Sequence, residues 1–500
     1  MKTRTVLSIA ALAALAALRT NAGDVTPFDE LRAALVSAVD GATVTLADGT
    51  YAADGTIEVT AANVTLRSAN GKANVIIDGG SQFRILNVSG GHFTVEGITF
   101  RNAYYAGNGG AISFSSSSVS QTAMIKDCDF IDCSAKYGGA IYAGQNSYSS
   151  FEPRANYGIV SGCTFLRCGV ATVGNEGGGG AIFGALWVED SVFDACFCSD
   201  LTKNQYHAAI DVTRYTTVSN CVFRNHSQTK RGLVGASEIN VQTQQSGCAR
   251  LLDCIIANNT ATAQDDVLFH RKVILDRCVI SNNASTVTWN KVGLYRLDGD
   301  NGFSKVTSCL FIDNQYPFNM DNNLPPLLNC TFVRNVGGLA CDSAQSPRLP
   351  AVTNCVFWGN VAKTDWPFDA VYKGVPGLYW HPSTQLAGQI QLANVVVENG
   401  AANSDVAAVL ATDASGESAR LTALAAQKGP GFKDAANGDW SLRKASVLVD
   451  GGVRYDGVDA ARDLAGHPRC LLAGAPKPGA RPDVGCYEYY STPGFAIRLR

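Results

Sequence analysis

Cys309-Leu310-Phe311-Ile312-Asp313-Asn314 is the stretch on which the reading of this chain turns. Its pattern is a cysteine, one residue, an apolar residue, two more residues and an asparagine. The pattern returns as Cys254 to Asn259, Cys278 to Asn283, Cys330 to Asn335 and Cys355 to Asn360. Earlier copies keep the apolar centre but end on Cys133 after Cys128 and Phe130, on Cys168 after Cys163 and Phe165, and on His226 after Cys221 and Phe223. Ser191-Val192-Phe193 to Cys196 is a weaker copy, and so is Ile98-Thr99-Phe100 with Asn102 one place early. The first anchors stand 21 to 35 residues apart with no fixed period, so insertions are tolerated between copies. A unit too small to bury its own apolar face must stack on its neighbours.

Within a copy the first and third residues share one face of an extended strand, which turns cysteine and Phe or Ile inward and leaves asparagine at the corner. Stacked at about 4.8 Å per coil, the asparagine amides can hydrogen-bond along the axis. The segments between copies lack long 3.6-residue periodicity, which excludes helical repeats. Their connections are too long and uneven for the hairpins of a sandwich. The expectation is an all-β chain, a right-handed single-stranded parallel β-helix with an N-terminal capping helix and a C-terminal cap.

At the start, Lys2 and Arg4 precede an apolar run from Val6 to Leu18 and small residues near Ala22, which reads as a signal peptide over 1–22. An exported protein, secreted or held at a cell surface, extracellular or periplasmic, is therefore expected. Without those residues 37 bases face 43 acids, a charge near −6, which argues against nucleic acid as a partner. No later stretch is long and apolar enough to span a membrane. Asp29 to Val39 has helical apolar spacing with acids in its first turn, so residues 23–41 are expected to cap the open end of the coils. The β-helix is expected over 42–400, and irregular last coils with a C-terminal cap over 401–500.

"GATVTLADGTY" from Gly41, Val64-Thr65-Leu66, "VIIDG" from Val75 and "FTVEGITFRN" from Phe93 together resemble the first coils of the pectin-lyase-like superfamily, which includes chondroitinase B-type and alginate lyases. That resemblance covers roughly residues 26–103 and implies the fold rather than an activity. Gly109-Gly110-Ala111-Ile112, Gly138-Gly139-Ala140-Ile141 and Gly179-Gly180-Ala181-Ile182 alternate with the Phe-x-x-Asn copies, a pairing similar to the repeats of polymorphic outer membrane proteins. It implies an adhesin-like passenger. About 140 residues follow Asn360, too few for a usual autotransporter barrel, so self-secretion is not expected. The run Asp463 to Arg469 with Asp483-Val484-Gly485-Cys486-Tyr487-Glu488 resembles the ending of many secreted bacterial β-helix proteins, which implies a cap.

Of the sixteen cysteines, the eight first anchors from Cys128 to Cys355 form one inward column, where an unpaired thiol packs as a small apolar group. Stacked side chains that point alike fit disulfide torsions poorly. Cys470 and Cys486 stand apart in the cap, and a bridge between them is expected to close a short loop.

Residues just beyond the GGAI column change character along the chain. Ser113, Tyr142 and Phe183 are followed by His207, Asp211 and Arg214, then Glu238, then Asp265, Asp266, His270, Arg271 and Lys272, then Lys291, Arg296 and Asp298. β-helix polysaccharide lyases resemble this arrangement, pairing a base for the proton α to a uronate with a cation that neutralises its carboxylate. His270 or Arg271 would be the base and Arg214 or Arg296 the carboxylate partner. Asp211, Glu238, Asp265 and Asp266 offer oxygen ligands to Ca²⁺, and His207, Glu238, Lys272 and Asp298 would contact substrate. Asp211, Asp265 and Asp266 are the carboxylates available to an inverting glycosidase. A third role, that of a structural spacer, needs none of them. Tyr104, Tyr105, Tyr137, Tyr142, Tyr148 and Tyr157 gather in the early coils and suit sugar or protein contact. The leading expectation is a monomer that binds polysaccharide or a surface protein along its flank. The alternative is a polysaccharide lyase or glycoside hydrolase acting on acidic polysaccharide in the middle coils.

Overall fold

Each short strand of the repeat is bracketed by single residues with left-handed backbone, and these bend the chain into coils. Before the first anchors stand Asp127, Gly162, Asp190 and Asn220 at φ 50, 67, 51 and 50°. Before the second anchors stand Asp132, Arg167, Ala195 and Asn225 at φ 53, 51, 53 and 60°. One left-handed residue between extended segments turns the chain sharply, and Asn, Asp and Gly adopt that region most readily. The corners are therefore written in the residue that precedes each anchor.

The structure is a computed structural model that describes residues 6–8, 26–114, 123–144, 150–170, 176–198, 204–212, 215–227, 234–236, 248–261, 269–270, 273–285, 295–296, 305–315, 318–321, 326–342, 351–361, 373–375, 377–380, 391–398, 421–424, 429–472, 475–476 and 479–490. It divides into two compact units, 1–250 and 251–500.

In the first unit three parallel sheets run side by side. The leading sheet takes Thr43–Leu46, Val64–Ser68, Phe93–Glu96, Ala123–Lys126, Gly158–Ser161, Leu186–Glu189 and Thr216–Ser219 in that order. The rung sheet takes Gly49–Ala52, Val75–Asp78, Thr99–Arg101, Asp129–Ile131, Thr164–Leu166, Val192–Asp194 and Val222–Arg224. The glycine-corner sheet takes Ile57–Val59, Leu86–Val88, Ile112–Phe114, Ile141–Tyr142, Ile182–Phe183, Ile210–Val212 and Val234–Ala236. Each strand pairs in register with its counterpart one coil away, as Phe130 does with Phe165 and Phe165 with Phe193. This is a parallel β-helix. Between rung and glycine corner lies a further strip in which Tyr104–Asn108, Ser134–Tyr137, Gly169–Val170 and Glu176–Gly178 pair in parallel. The backbone of Val6–Ser8 lies in parallel against Thr43–Leu46.

Register stacks like on like. Phe100, Phe130, Phe165, Phe193 and Phe223 form one buried pile with centroids 5.2, 5.0, 4.8 and 4.8 Å apart and rings within 7° of parallel. Cys128, Cys163 and Cys221 are buried free thiols, as are Cys133, Cys168 and Cys196. Each Sγ donates to the carbonyl two residues back, as Cys128 does to Lys126 at 3.2 Å. Burial pushes the Cys196 thiol up to about 12, so the column is chemically quiet.

The N-terminal helix runs Pro27–Val36, two residues earlier than its apolar spacing suggests, because Thr26 caps it. Thr26 Oγ1 accepts the Asp29 N–H at 3.2 Å and Asp29 Oδ2 accepts the Thr26 N–H at 3.1 Å, a reciprocal capping box. Phe28, Leu31, Ala34 and Leu35 are buried against the first strands, so the helix covers the core end. Among the described residues no helix is long and apolar enough to cross a membrane.

The second unit repeats the plan with rung strands Ile255–Ala257, Val279–Ser281, Leu310–Ile312, Thr331–Val333, Val356–Trp358, Val395–Glu398 and Leu421–Leu424, so the ladder continues past residue 400. Asparagines now occupy the corner. The side-chain amides of Asn259, Asn283, Asn314 and Asn335 each donate to the Oδ1 of the next asparagine, ending at Asn360, at 2.9 to 3.0 Å. That same oxygen accepts the backbone N–H of the asparagine before it.

The C-terminal cap lies along the outer face of these rungs rather than across an open end. Val279, Leu310, Ile312, Val333, Val356 and Val396 pack against Phe432, Trp440, Leu442, Leu448, Leu464 and Val484. The resembling motif is the clasp that holds it. Arg469, fully buried, donates to Glu488 Oε1 at 3.0 Å, to the carbonyls of Gly485 and Cys486, and to Ser308 Oγ at 2.9 Å. Asp463 receives the N–H of His467 and of Glu488, and Asp483 that of Asp450 and of Tyr489. The expected Cys470–Cys486 bridge is not formed, and both are free. Cys470 Sγ takes the Arg454 guanidinium at 3.2 Å, whereas Cys486 sits in the apolar seam with its N–H on Thr331 Oγ1 at 3.0 Å. The two thiols serve different contacts.

Candidate functional site

The outward row of the glycine-corner sheet carries Glu58, Asn87, Ser113, Tyr142, Phe183 and Asp211 in successive coils, each the register partner of the next. Before each of its middle strands the chain turns on a glycine pair. A Cβ on Gly109, Gly138 or Gly179 would come within 2.0 to 2.3 Å of the carbonyl oxygen three residues on. In the next coil the corner is His207-Ala208-Ala209-Ile210, and His207 holds φ 56° with a full side chain. Its backbone must shift relative to the three corners before it to make that room. The His207 carbonyl still accepts from the Gly180 N–H, and that of Asp211 from the Gly184 N–H, so the coil keeps its place in the ladder.

His207 Nδ1 stands 3.2 Å from Asp211 Oδ2, and both side chains are buried, at 0 and 1 % exposure. An enclosed carboxylate at this distance from Nδ1 can orient the imidazole ring, the arrangement used to position a general base. Beside the dyad lie the rings of its own row. Phe183 stacks on Tyr142 at 5.5 Å and meets Tyr137 at 4.9 Å with a 60° tilt.

Of the expected site residues the structure brings His207 and Asp211 together. In the second unit the backbones of His270 and Arg296 are register partners in neighbouring strands. Arg214, Glu238, Asp265, Asp266, Arg271, Lys272 and Asp298 lie outside the described residues. Among the described residues no group of three or more His, Cys, Asp or Glu stands together as a metal site. Of the expected calcium ligands only Asp211 is described, and it stands 3.2 Å from His207.

The sequence expectation set Tyr142 and Phe183 in one row beyond the glycine pairs and Tyr137 among the early tyrosines, and the structure brings the three rings together; their mutual stacking is what the sequence alone did not give. On the rung side the bases of this unit are neutralised: Arg101 pairs with Asp78, Arg167 with Asp132 and Arg224 with Asp194, at 2.6 to 2.7 Å.

No family model matches the chain, and no curated protein matches it. Solved structures do. A variant of the PL6 family alginate lyase AlyGC is 15% identical over 79% of this chain and 52% of its own length, with a TM-score of 0.44. This chain thus spans about half of that protein. A mannuronic acid specific polysaccharide family 6 lyase from human gut microbiota is 11% identical over 84% of this chain and 90% of that one, at 0.37. Pectate lyase Pel9A is 11% identical over 91% and 90%, at 0.34.

Proposed function

We propose that this chain is an exported polysaccharide lyase that acts on an acidic polysaccharide, with His207 as the base and Asp211 as the residue that orients it. The observation that carries the reading is the buried histidine and aspartate, 3.2 Å apart, set at a corner where the three preceding coils use glycine. A ladder whose only demand is tight turning would repeat glycine there. The proton α to a uronate carboxylate passes to the imidazole, a carbon–carbon double bond forms, and the bond to the next sugar breaks, its oxygen taking a proton. Hydrolysis by inversion needs two carboxylates roughly 6.5–9.5 Å apart. Asp211 faces a histidine instead, and among the described residues of its row the next acid is Glu58, five coils away. These features favour the catalytic expectation over a purely adhesive one.

The test is digestion of alginate, polygalacturonate and chondroitin, read as ultraviolet absorbance of unsaturated ends. Wild type is expected to release them from one of the three. His207→Gly, which restores the residue of the neighbouring corners, should lose at least about a hundredfold in rate. Asp211→Asn should lower kcat and leave KM little changed. Wild-type protein silent on all three polymers, or His207→Gly cutting at the wild-type rate, would end the proposal.

A further inference from the structure

We propose that a second feature of the first unit, the corner between the Tyr104–Tyr137 strip and the glycine-corner sheet, is a docking stripe for an anionic polysaccharide chain, apart from the dyad. It rests on the lyase reading only for the polymer being the substrate.

Two cations lie there on tyrosine rings. The guanidinium of Arg84 sits 4.1 Å from the centroid of Tyr105, and the ammonium of Lys136 sits 5.1 Å from that of Tyr137. Tyr105 pairs in register with Ala135, so Lys136 lies one coil beyond Tyr105, about 4.8 Å along the axis. Neither cation has an acidic partner among the described residues. Arg84 gives one N–H to the carbonyl of Asn108 at 3.2 Å, while its Nε is buried without a partner there. Two acids of the neighbouring strands are engaged elsewhere: Asp78 holds Arg101, and Glu58 takes the Asn87 amide at 2.6 Å. The rung-side arginines, by contrast, are each matched to an aspartate.

The ring under Arg84 is held in place. A Cβ on Gly107 would come 2.8 Å from Tyr105 Cε1, so this glycine leaves the space in which the ring lies. Tyr105 is 40 % exposed, and Tyr104, Lys136 and Tyr137 are half-buried. Unneutralised charge contributed by successive coils, each charge backed by an aromatic face, matches a polymer that carries carboxylates and presents apolar ring faces between them. A neutral glycan would use the rings but leave the charges idle.

Binding of the intact chain to polygalacturonate, alginate and neutral dextran is to be measured by affinity electrophoresis at low and high salt, with His207→Gly as the background so that turnover plays no part. The acidic polymers are expected to bind, dextran is not, and raised salt should weaken the interaction. Arg84→Ala with Lys136→Ala should weaken binding about tenfold or more, and Lys136→Arg should restore most of the Lys136 share. Circular dichroism confirms that the variants fold. Equal affinity in the double variant, binding insensitive to salt, or equal retention by dextran overturns the stripe. If the polymer binds here but wild type releases no unsaturated ends, the stripe stands and the lyase reading fails.

Discussion

Asn314 takes two donors on one oxygen, the backbone N–H of Asn283 at 3.1 Å and its side-chain amide at 3.0 Å, and gives its own amide to Ile280 O and Asn335 Oδ1. Removing it strands buried partners on both neighbouring coils, each at roughly 1–3 kcal/mol. Asn314→Ala is expected to destabilise by about 2–4 kcal/mol in urea unfolding; a wild-type midpoint would show that the amides only fill space. Asp276 works in the opposite sense. Burial pushes its carboxyl up to about 6, above its ordinary 3.8, so the folded chain prefers it protonated. The stability it contributes is complete below about pH 4 and is lost as pH rises through about 6. Asp276→Asn should abolish that part of the slope, visible as a smaller fall in thermal midpoint between pH 4 and 7 than wild type shows.

At the scale of elements, the phenylalanine pile and the cap clasp can be broken separately. Phe165 lies between Phe130 and Phe193 at 5.0 and 4.8 Å, and Phe165→Ala should cost about 3–5 kcal/mol through the cavity it leaves. Arg469→Met removes the partner of an enclosed Glu488 and should cost a similar amount, about 3–5 kcal/mol. The addition of Glu488→Leu should recover much of it; no recovery in the double variant would place the stabilisation in the Ser308 and backbone contacts instead. These two elements were not equally legible. The pile and the asparagine ladder follow from strand period and repeat spacing alone, because register forces identical side chains together. The flank position of the cap did not follow, although Cys309-Leu310-Phe311-Ile312 is apolar at every position and so needs cover on both faces. The unpaired state of Cys470 and Cys486 could not be read from spacing, since Cys470 meets Arg454, 16 residues before it, and Cys486 meets Thr331, 155 residues before it. His207 and Asp211 were legible as charged neighbours four residues apart, but their contact was not, since it depends on a corner conformation that the glycine copies alone do not disclose.

For the molecule as a whole, the described thiols lie inside, and burial pushes those of Cys196 and Cys486 up to about 12. In native protein at pH 8 the fifteen described thiols should therefore take up almost no thiol reagent, and denatured protein should take up about one equivalent per cysteine. Rapid labelling of the native chain would mean that the columns open. Coil lengths vary from 21 to 35 residues while the anchors stay in register, which assigns the variation to the outer loops and leaves the core periodic.

The cap that shields the apolar flank of residues 255–396 is encoded after every rung it shields. A ribosome reaching residue 428 has thus released a ladder with a greasy side and nothing yet to lay on it. Biogenesis must either keep the whole chain unfolded until translation ends or guard that side with a chaperone. Chains cut short at that residue are expected to clump, and a separately supplied 429–490 peptide to rescue them.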